Sequence, residues 1–143
     1  MIGYVDTSAV VPLIIHEPSS DRCVDLWMRC DIRLSSVIVV AEAMAAIAMA
    51  HRLDRLTDQQ HAQACDLLEA QLDEFTFITP TLTIARAAGR LADDHGLRGN
   101  DAIHLASALA VNEPHLVMIS GDRVLLEAAA VANLATIDTN QAI

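Results

Sequence analysis

Asp6, Glu42, Asp101 and Asp122 are the residues whose types and placement could do chemistry in this chain. Asp6 ends the apolar run IGYV, Asp122 follows HLVMIS, and Asp101 opens an apolar helical pattern. Any one aspartate alone reads as a helix cap, because its carboxylate accepts from free N–H groups and favours the positive end of the helix dipole. Glu42 resists that reading, since it interrupts VIVVA and AMAAIAMA in a segment that is apolar on nearly all faces. An ionised carboxylate buried there must be paired with arginine or bound to a cation, or else be protonated. No arginine lies three or four residues away on the same helix. If Glu42 joins the aspartates, like charges about 4 Å apart repel by roughly 4 kcal/mol at an effective dielectric of 20. A divalent metal removes that cost, and an all-oxygen donor set selects Mg2+ or Mn2+ over zinc or copper. Such ions activate water and stabilise a leaving oxygen in nucleases, so the four acids point to phosphodiester hydrolysis.

Several neighbours could support these acids. Thr7, Ser8 and Ser120 carry hydroxyls that could orient the carboxylates around a metal. Arg98 and Arg123 flank Asp101 and Asp122, where a planar guanidinium could hold a substrate phosphate through two hydrogen bonds. Asn100 reads as the cap of the helix that starts at Asp101. His104 lies three residues beyond Asp101 on the same face, but a lone histidine in an apolar helix reads as a packed residue and stays outside the metal set.

The elements that must position these groups alternate between strand-like apolar runs and helical patterns, the order expected of a parallel sheet covered by helices. Ile2 to Val5 is the first strand, followed by a short helix over TSAVVPLII bent at Pro12. A second helix covers Ser19 to Cys30. Ile32 to Leu34 is a weak strand, after which Ser35 and Ser36 cap the buried helix that carries Glu42. Thr57 and Gln60 have capping-box spacing at the start of an amphipathic helix reaching Asp73. FTFIT alternates as a strand over 75–79. Thr81 or Thr83 then starts a helix that Gly96 stops. The remaining elements are a helix over Asp101 to Val111, a strand over His115 to Ser120, a helix over Gly121 to Ala132 and a last strand over Leu134 to Ile137. The expected fold is a three-layer α/β/α domain with a mostly parallel sheet of four to five strands. In an open parallel sheet the carboxyl ends of the strands form the ligand crevice, which puts Asp6 and Asp122 on one rim.

Composition limits the alternatives. At 143 residues the chain fits one domain over 1–143, and 53 % hydrophobic residues exclude disorder. Nineteen acidic against nine basic residues give a net charge of −10, which disfavours broad electrostatic capture of nucleic acid. All nine basic residues are arginine, so mechanisms that need lysine, among them the P-loop and Schiff-base catalysis, are excluded. The same absence argues against a phosphorylation receiver, the lack of D-x-D at Asp6 against a haloacid-dehalogenase-type phosphatase, and the lack of G-x-G-x-x-G against a dinucleotide enzyme. Cys23, Cys30 and Cys65 are odd in number and have no C-x-x-C spacing, consistent with reduced thiols in the cytoplasm. The start of the chain lacks the basic region of a signal peptide, and the longest apolar stretch, Val37 to Ala50, is too short to span a bilayer.

Four segments, IGYVDTSAVV, SSVIVVAEAMAAI, NDAIHLASAL and ISGDRVLL, in that order over essentially the whole chain, resemble the PIN (PilT N-terminal) domain. Their spacing most resembles the VapC toxins of bacterial type II toxin–antitoxin pairs. The resemblance implies a Mg2+- or Mn2+-dependent endoribonuclease with metal ligands carried onto Asp6, Glu42, Asp101 and Asp122. It also implies a VapB-like antitoxin with a basic segment, a homodimer, and no membrane association. A catalytically silent PIN-like module that binds RNA or protein is the alternative. LRGND departs slightly from the family pattern in placing Gly99 and Asn100 before the aspartate, which bears on substrate contacts more than on metal binding.

Overall fold

A computed structural model describes residues 1–141, so the last two residues of the expected 1–143 domain lie outside the described residues. Five parallel strands form one sheet in the order β3-β2-β1-β4-β5. They are β1 Ile2–Val5, β2 Ile32–Ser36, β3 Thr76–Ile78, β4 Leu116–Ser120 and β5 Ala135–Asp138. The helices between them are α1 Thr7–Ile14, α2 Ser20–Arg29, α3 Ile38–Arg52, α4 Asp58–Leu72, α5 Leu82–His95, α6 Gly99–Val111 and α7 Arg123–Val131. The expected α/β/α architecture is therefore present, with all five strands parallel.

Alternation along the central strands makes two cores. Tyr4, Leu116 and Met118 face α5, α6 and α7, where they pack with Leu105, Leu125 and Ala129. Val5 and Ile119 face the other way, onto Val10 of α1, Val39 and Ile47 of α3, and Leu68 of α4. The register pairs Tyr4 with Met118 and Val5 with Ile119, so β1 and β4 end at the same level. Strand order runs outward in opposite directions from β1 and β4. That reversal opens a crevice beyond their carboxyl ends.

Local signals account for most boundaries. Thr57 accepts from the Gln60 amide while the Gln60 side chain accepts from the Thr57 amide, the reciprocal capping box of α4. Thr81 caps α5 through the Ile84 amide, and Gly96 ends that helix at φ 65°, a left-handed conformation that glycine adopts without steric cost.

Three expectations are corrected. Ser35 and Ser36 do not cap a helix; they extend β2, where the Ser35 hydroxyl donates to the Val5 carbonyl and the Ser36 amide to the Tyr4 hydroxyl. Asn100 is not the cap of α6, because that helix starts at Gly99 and Arg98 occupies the cap position. Helix α3 is not buried all round: Val39, Ala43, Ile47 and Ala50 make a buried stripe, while Met49 on the opposite face is 50 % exposed. Alanine-rich sequence hides this distinction, since alanine is compatible with either face.

Candidate active site

The crevice beyond β1 and β4 is a cavity of about 420 Å³ whose lining includes Asp6, Glu42, Asp101 and Asp122. Four elements deliver them. Asp6 sits between β1 and α1, Glu42 in the second turn of α3, Asp101 in the first turn of α6, and Asp122 between β4 and α7.

Asp6 occupies the cap position of α1 without using its side chain as a cap. Its backbone carbonyl accepts from the Ala9 and Val10 amides at 3.1 and 3.2 Å, which leaves the carboxylate to the cavity. The Ser8 hydroxyl donates to Asp6 Oδ1 at 2.7 Å. Among the described residues no arginine pairs with Asp6, which is only 3 % exposed. Burial pushes its pKa up to about 6, against the opposing effects of His104 and of hydrogen bonds from Ser8 and Ser120.

Ser8 is the hinge of a small hydroxyl network. Its Oγ accepts from the Gly121 amide at 2.7 Å and lies 3.2 Å from Ser120 Oγ, which in turn accepts from the Asp122 amide at 2.9 Å. The β1 and β4 ends are thereby tied together beneath the acids.

Glu42 receives the Thr7 hydroxyl at 2.6 Å and His104 Nε2 at 2.7 Å, both on Oε2. Burial raises its pKa, but hydrogen bonds from His104 and Thr7, with a smaller contribution from Asn100, outweigh that and hold it below the ordinary value. His104 is 1 % exposed, as a packed residue should be, yet it lines the cavity. Its Nδ1 meets the buried Tyr4 hydroxyl at 3.0 Å, and the two rings pack edge to face. Sequence reasoning set His104 aside as a packed residue, which its burial bears out, but missed its contact with Glu42 and missed Tyr4 behind it. The available signal was the three-residue spacing of Asp101 and His104, which puts both on one face of α6.

Asp101 and Asp122 share one cation. Arg98 Nε donates to Asp101 Oδ2 at 2.7 Å, and Arg98 Nη2 donates to Asp122 Oδ2 at 3.2 Å. Asp122 is also a true cap, its Oδ1 accepting from the Leu125 amide at 3.0 Å. Arg123 stands elsewhere: it pairs with Glu127 on the outside of α7 and does not line the cavity.

Carboxylates with hydroxyl neighbours are oxygen donors of the kind that would suit a hard divalent cation. In the placement described, no three acidic, histidine or cysteine side chains among the described residues surround one point closely enough to grip an ion. Two of the four acids are instead held by Arg98. The chemistry of the donors fits such a cation.

The PIN domain family model matches residues 3–131. Ribonuclease VapC49 of Mycobacterium tuberculosis strain H37Rv is 43 % identical over 126 residues, covering 85 % of each chain. The crystal structure of PAE2754 from Pyrobaculum aerophilum superposes with a TM-score of 0.70 at 24 % identity, over 97 % of this chain and 91 % of that one. The structure of VapBC-5 from Mycobacterium tuberculosis, a member of the VapBC family of toxin–antitoxin systems, gives 0.64 at 22 % identity over 96 % and 98 %. With a family match over nearly the whole chain and a VapC relative at this level of identity, the chain belongs to the PIN domain family and stands among its VapC members.

Proposed function

We propose that this protein is a metal-dependent endoribonuclease and the toxin of a VapBC-type pair. One observation carries the reading: Asp6, Glu42, Asp101 and Asp122, from four separate elements, line a single cavity at the point where strand order reverses. These four residues would hold Mg2+ or Mn2+. The bound ion would supply a water of lowered pKa and stabilise the leaving oxygen of the RNA phosphodiester.

The protein's own groups supply the rest. Ser8 and Thr7 orient Asp6 and Glu42 by donating to one oxygen of each. His104 fixes Glu42 from the buried side and keeps water from that flank. Arg98, at the mouth, is the residue able to take a substrate phosphate in two parallel hydrogen bonds. With no basic track beside it and a net charge of −10, RNA binding is weak and local rather than long-range.

The acidic mouth also suits an arginine-bearing segment of a VapB-like antitoxin, and the protein acts as a homodimer in the cytoplasm. No helix among the described residues is long and apolar enough to cross a membrane.

The test is cleavage of an RNA pool by the purified chain with Mg2+, with Mn2+ and with EDTA. Wild type is expected to cut only with metal, and Asp6→Asn, Glu42→Gln and Asp101→Asn to lose at least a hundredfold in rate while remaining folded. Cleavage that survives EDTA or these substitutions overturns the reading. RNA binding without cleavage in any metal replaces it with the silent binding module. Co-purification with a partner that lacks a basic segment removes the antitoxin assignment, and light scattering decides the dimer.

A further inference from the structure

Arg98 is the only arginine among the residues lining the acidic cavity, and its guanidinium spans two of the acids assigned to the metal. Nε takes Asp101 Oδ2 at 2.7 Å and Nη2 takes Asp122 Oδ2 at 3.2 Å. The two aspartates come from the first turn of α6 and the cap of α7, so this one side chain joins two helix starts across the mouth. Everything else about it is loose. The Arg98 side chain is 79 % exposed, against 14 % for Asp101 and 24 % for Asp122. Its backbone, by contrast, is committed, because its carbonyl accepts the Ala102 amide at 2.9 Å as the cap of α6. The backbone is anchored while, among the described residues, the charged end is hydrogen-bonded only to the two carboxylates.

A guanidinium and a divalent ion on the same two carboxylates would compete, although each carboxylate has lone pairs enough for both. Each carboxylate would then serve two cations at once, and like charges held on the same acids repel. Arg98 already places one positive charge on two of the acids that would hold the metal.

We propose that Arg98 is a built-in competitor of the metal: it neutralises Asp101 and Asp122 in the unloaded protein, and its guanidinium must turn out of the cavity for a divalent ion to load. The inference rests on the metal-dependent reading above. Once displaced, the same fork lies at the mouth beside the incoming phosphate, so metal loading and the release of a substrate-binding arginine become one event. The metal-free protein thereby avoids two unpaired carboxylates facing each other, and loading is made harder at low metal concentration.

The experiment is a Mn2+ titration of the full chain without RNA, with free ion followed by electron paramagnetic resonance. Arg98→Ala is expected to bind Mn2+ about fivefold or more tightly than wild type, the effect of removing one nearby competing charge. Arg98→Gln, which keeps polarity but not charge, is expected to behave like Arg98→Ala, and Arg98→Lys to fall between them and wild type. Asp101→Asn is expected to weaken binding whether or not Arg98 is present. In melts, Mn2+ should raise the midpoint more for Arg98→Ala than for wild type, because the variant starts with an uncompensated acid pair. Equal or weaker Mn2+ binding by both Arg98→Ala and Arg98→Gln, with wild type binding normally, overturns the competitor role and leaves the nuclease reading intact. Failure of wild type and both variants to bind Mn2+ at millimolar levels overturns the metal-dependent reading, and this inference with it.

Discussion

His104 Nε2 donates to Glu42 Oε2 at 2.7 Å, and this pair joins α6 to α3 across the floor of the acidic cavity. An ionised carboxylate can only accept, so the proton of this bond sits on Nε2. The Tyr4 hydroxyl already accepts from the Ser36 amide and is free to donate to His104 Nδ1. A backbone amide in β2 thus helps set, through two buried side chains, the orientation of the acid carried by α3.

His104→Ala is therefore expected to cost about 2–4 kcal/mol of stability, since it opens a cavity and leaves both Glu42 and Tyr4 short of a partner. RNA cleavage should fall roughly ten- to a hundredfold, the range seen when a residue orienting a metal-bound carboxylate is lost. His104→Gln, which can still donate to Glu42, should recover part of the activity. Urea unfolding and initial cleavage rates on the same preparations check both; an alanine variant with wild-type rates removes His104 from the site.

Asp6 carries a pH dependence of stability with a definite sign. Its pKa is about 6 in the folded protein because of burial, against about 3.9 for an aspartate in an unfolded chain. Below about pH 4 both states are protonated and the folded state keeps its full stability. Between about 4 and 6 only the folded state still holds the proton, so stability falls as pH rises, by on the order of 3 kcal/mol in total. Above that window the loss is constant. Asp6→Asn removes the titration, so the difference between wild type and this variant, measured by denaturant unfolding from pH 3.5 to 8 in EDTA, should shift across the window. A pH-independent difference would show that Asp6 is not the strained carboxylate. Added Mn2+ should offset the loss, with its stabilising effect growing over the same range.

What the sequence made legible, and what it hid, divides along the range of the interaction. Thr57 and Gln60, the Gly96 stop and the apolar strand ended by Asp6 are decided within a few residues, and each is found where local rules place it. The rim position of Asp6 and Asp122 also follows from order alone, because parallel strands send their carboxyl ends to one side. The partner of Glu42 was hidden. Considering only arginines left out a histidine 62 residues away, which meets Glu42 only because α3 and α6, packed on opposite faces of the sheet, both reach the cavity at the strand ends. Ser35 and Ser36 misled for the same reason: adjacent serines before an apolar run look like caps until the neighbouring strand that takes their hydrogen bonds is in place. Arg98 was identified from its proximity to Asp101, but its second contact, with Asp122, depends on how closely α6 and α7 begin.

The capping box offers a control that separates fold from site. Thr57→Ala should cost about 1 kcal/mol through loss of the Gln60 amide's acceptor, and it should leave cleavage per folded molecule unchanged. Helix α4 contributes Leu68 to the core but nothing to the cavity lining. A drop in specific activity without loss of stability would show that α4 communicates with the acids.

Gly121 is held without a side chain by the crowding of the site itself. A Cβ there would stand 2.9 Å from Thr139 Oγ1, 3.2 Å from Asn140 Nδ2 and 3.4 Å from Ser8 Oγ. Thr139 is buried and has little room to retreat, while Asn140 is bonded to the Gly121 carbonyl at 2.9 Å. Relieving the clash must therefore shift the Gly121 backbone, whose amide donates to Ser8, the residue whose hydroxyl orients Asp6. Gly121→Ala is expected to destabilise by about 1–3 kcal/mol, the usual cost of overpacking, and to lower cleavage further than the folded fraction explains. Gly89→Ala in α5 makes the contrast, since nothing lies within 4 Å of its added methyl group. That variant should gain about 0.8 kcal/mol from helix propensity and cleave at the wild-type rate. Thermal melts and cleavage rates of the pair decide the matter: if Gly121→Ala loses stability and activity only in proportion, the crowding at Gly121 does not reach Asp6.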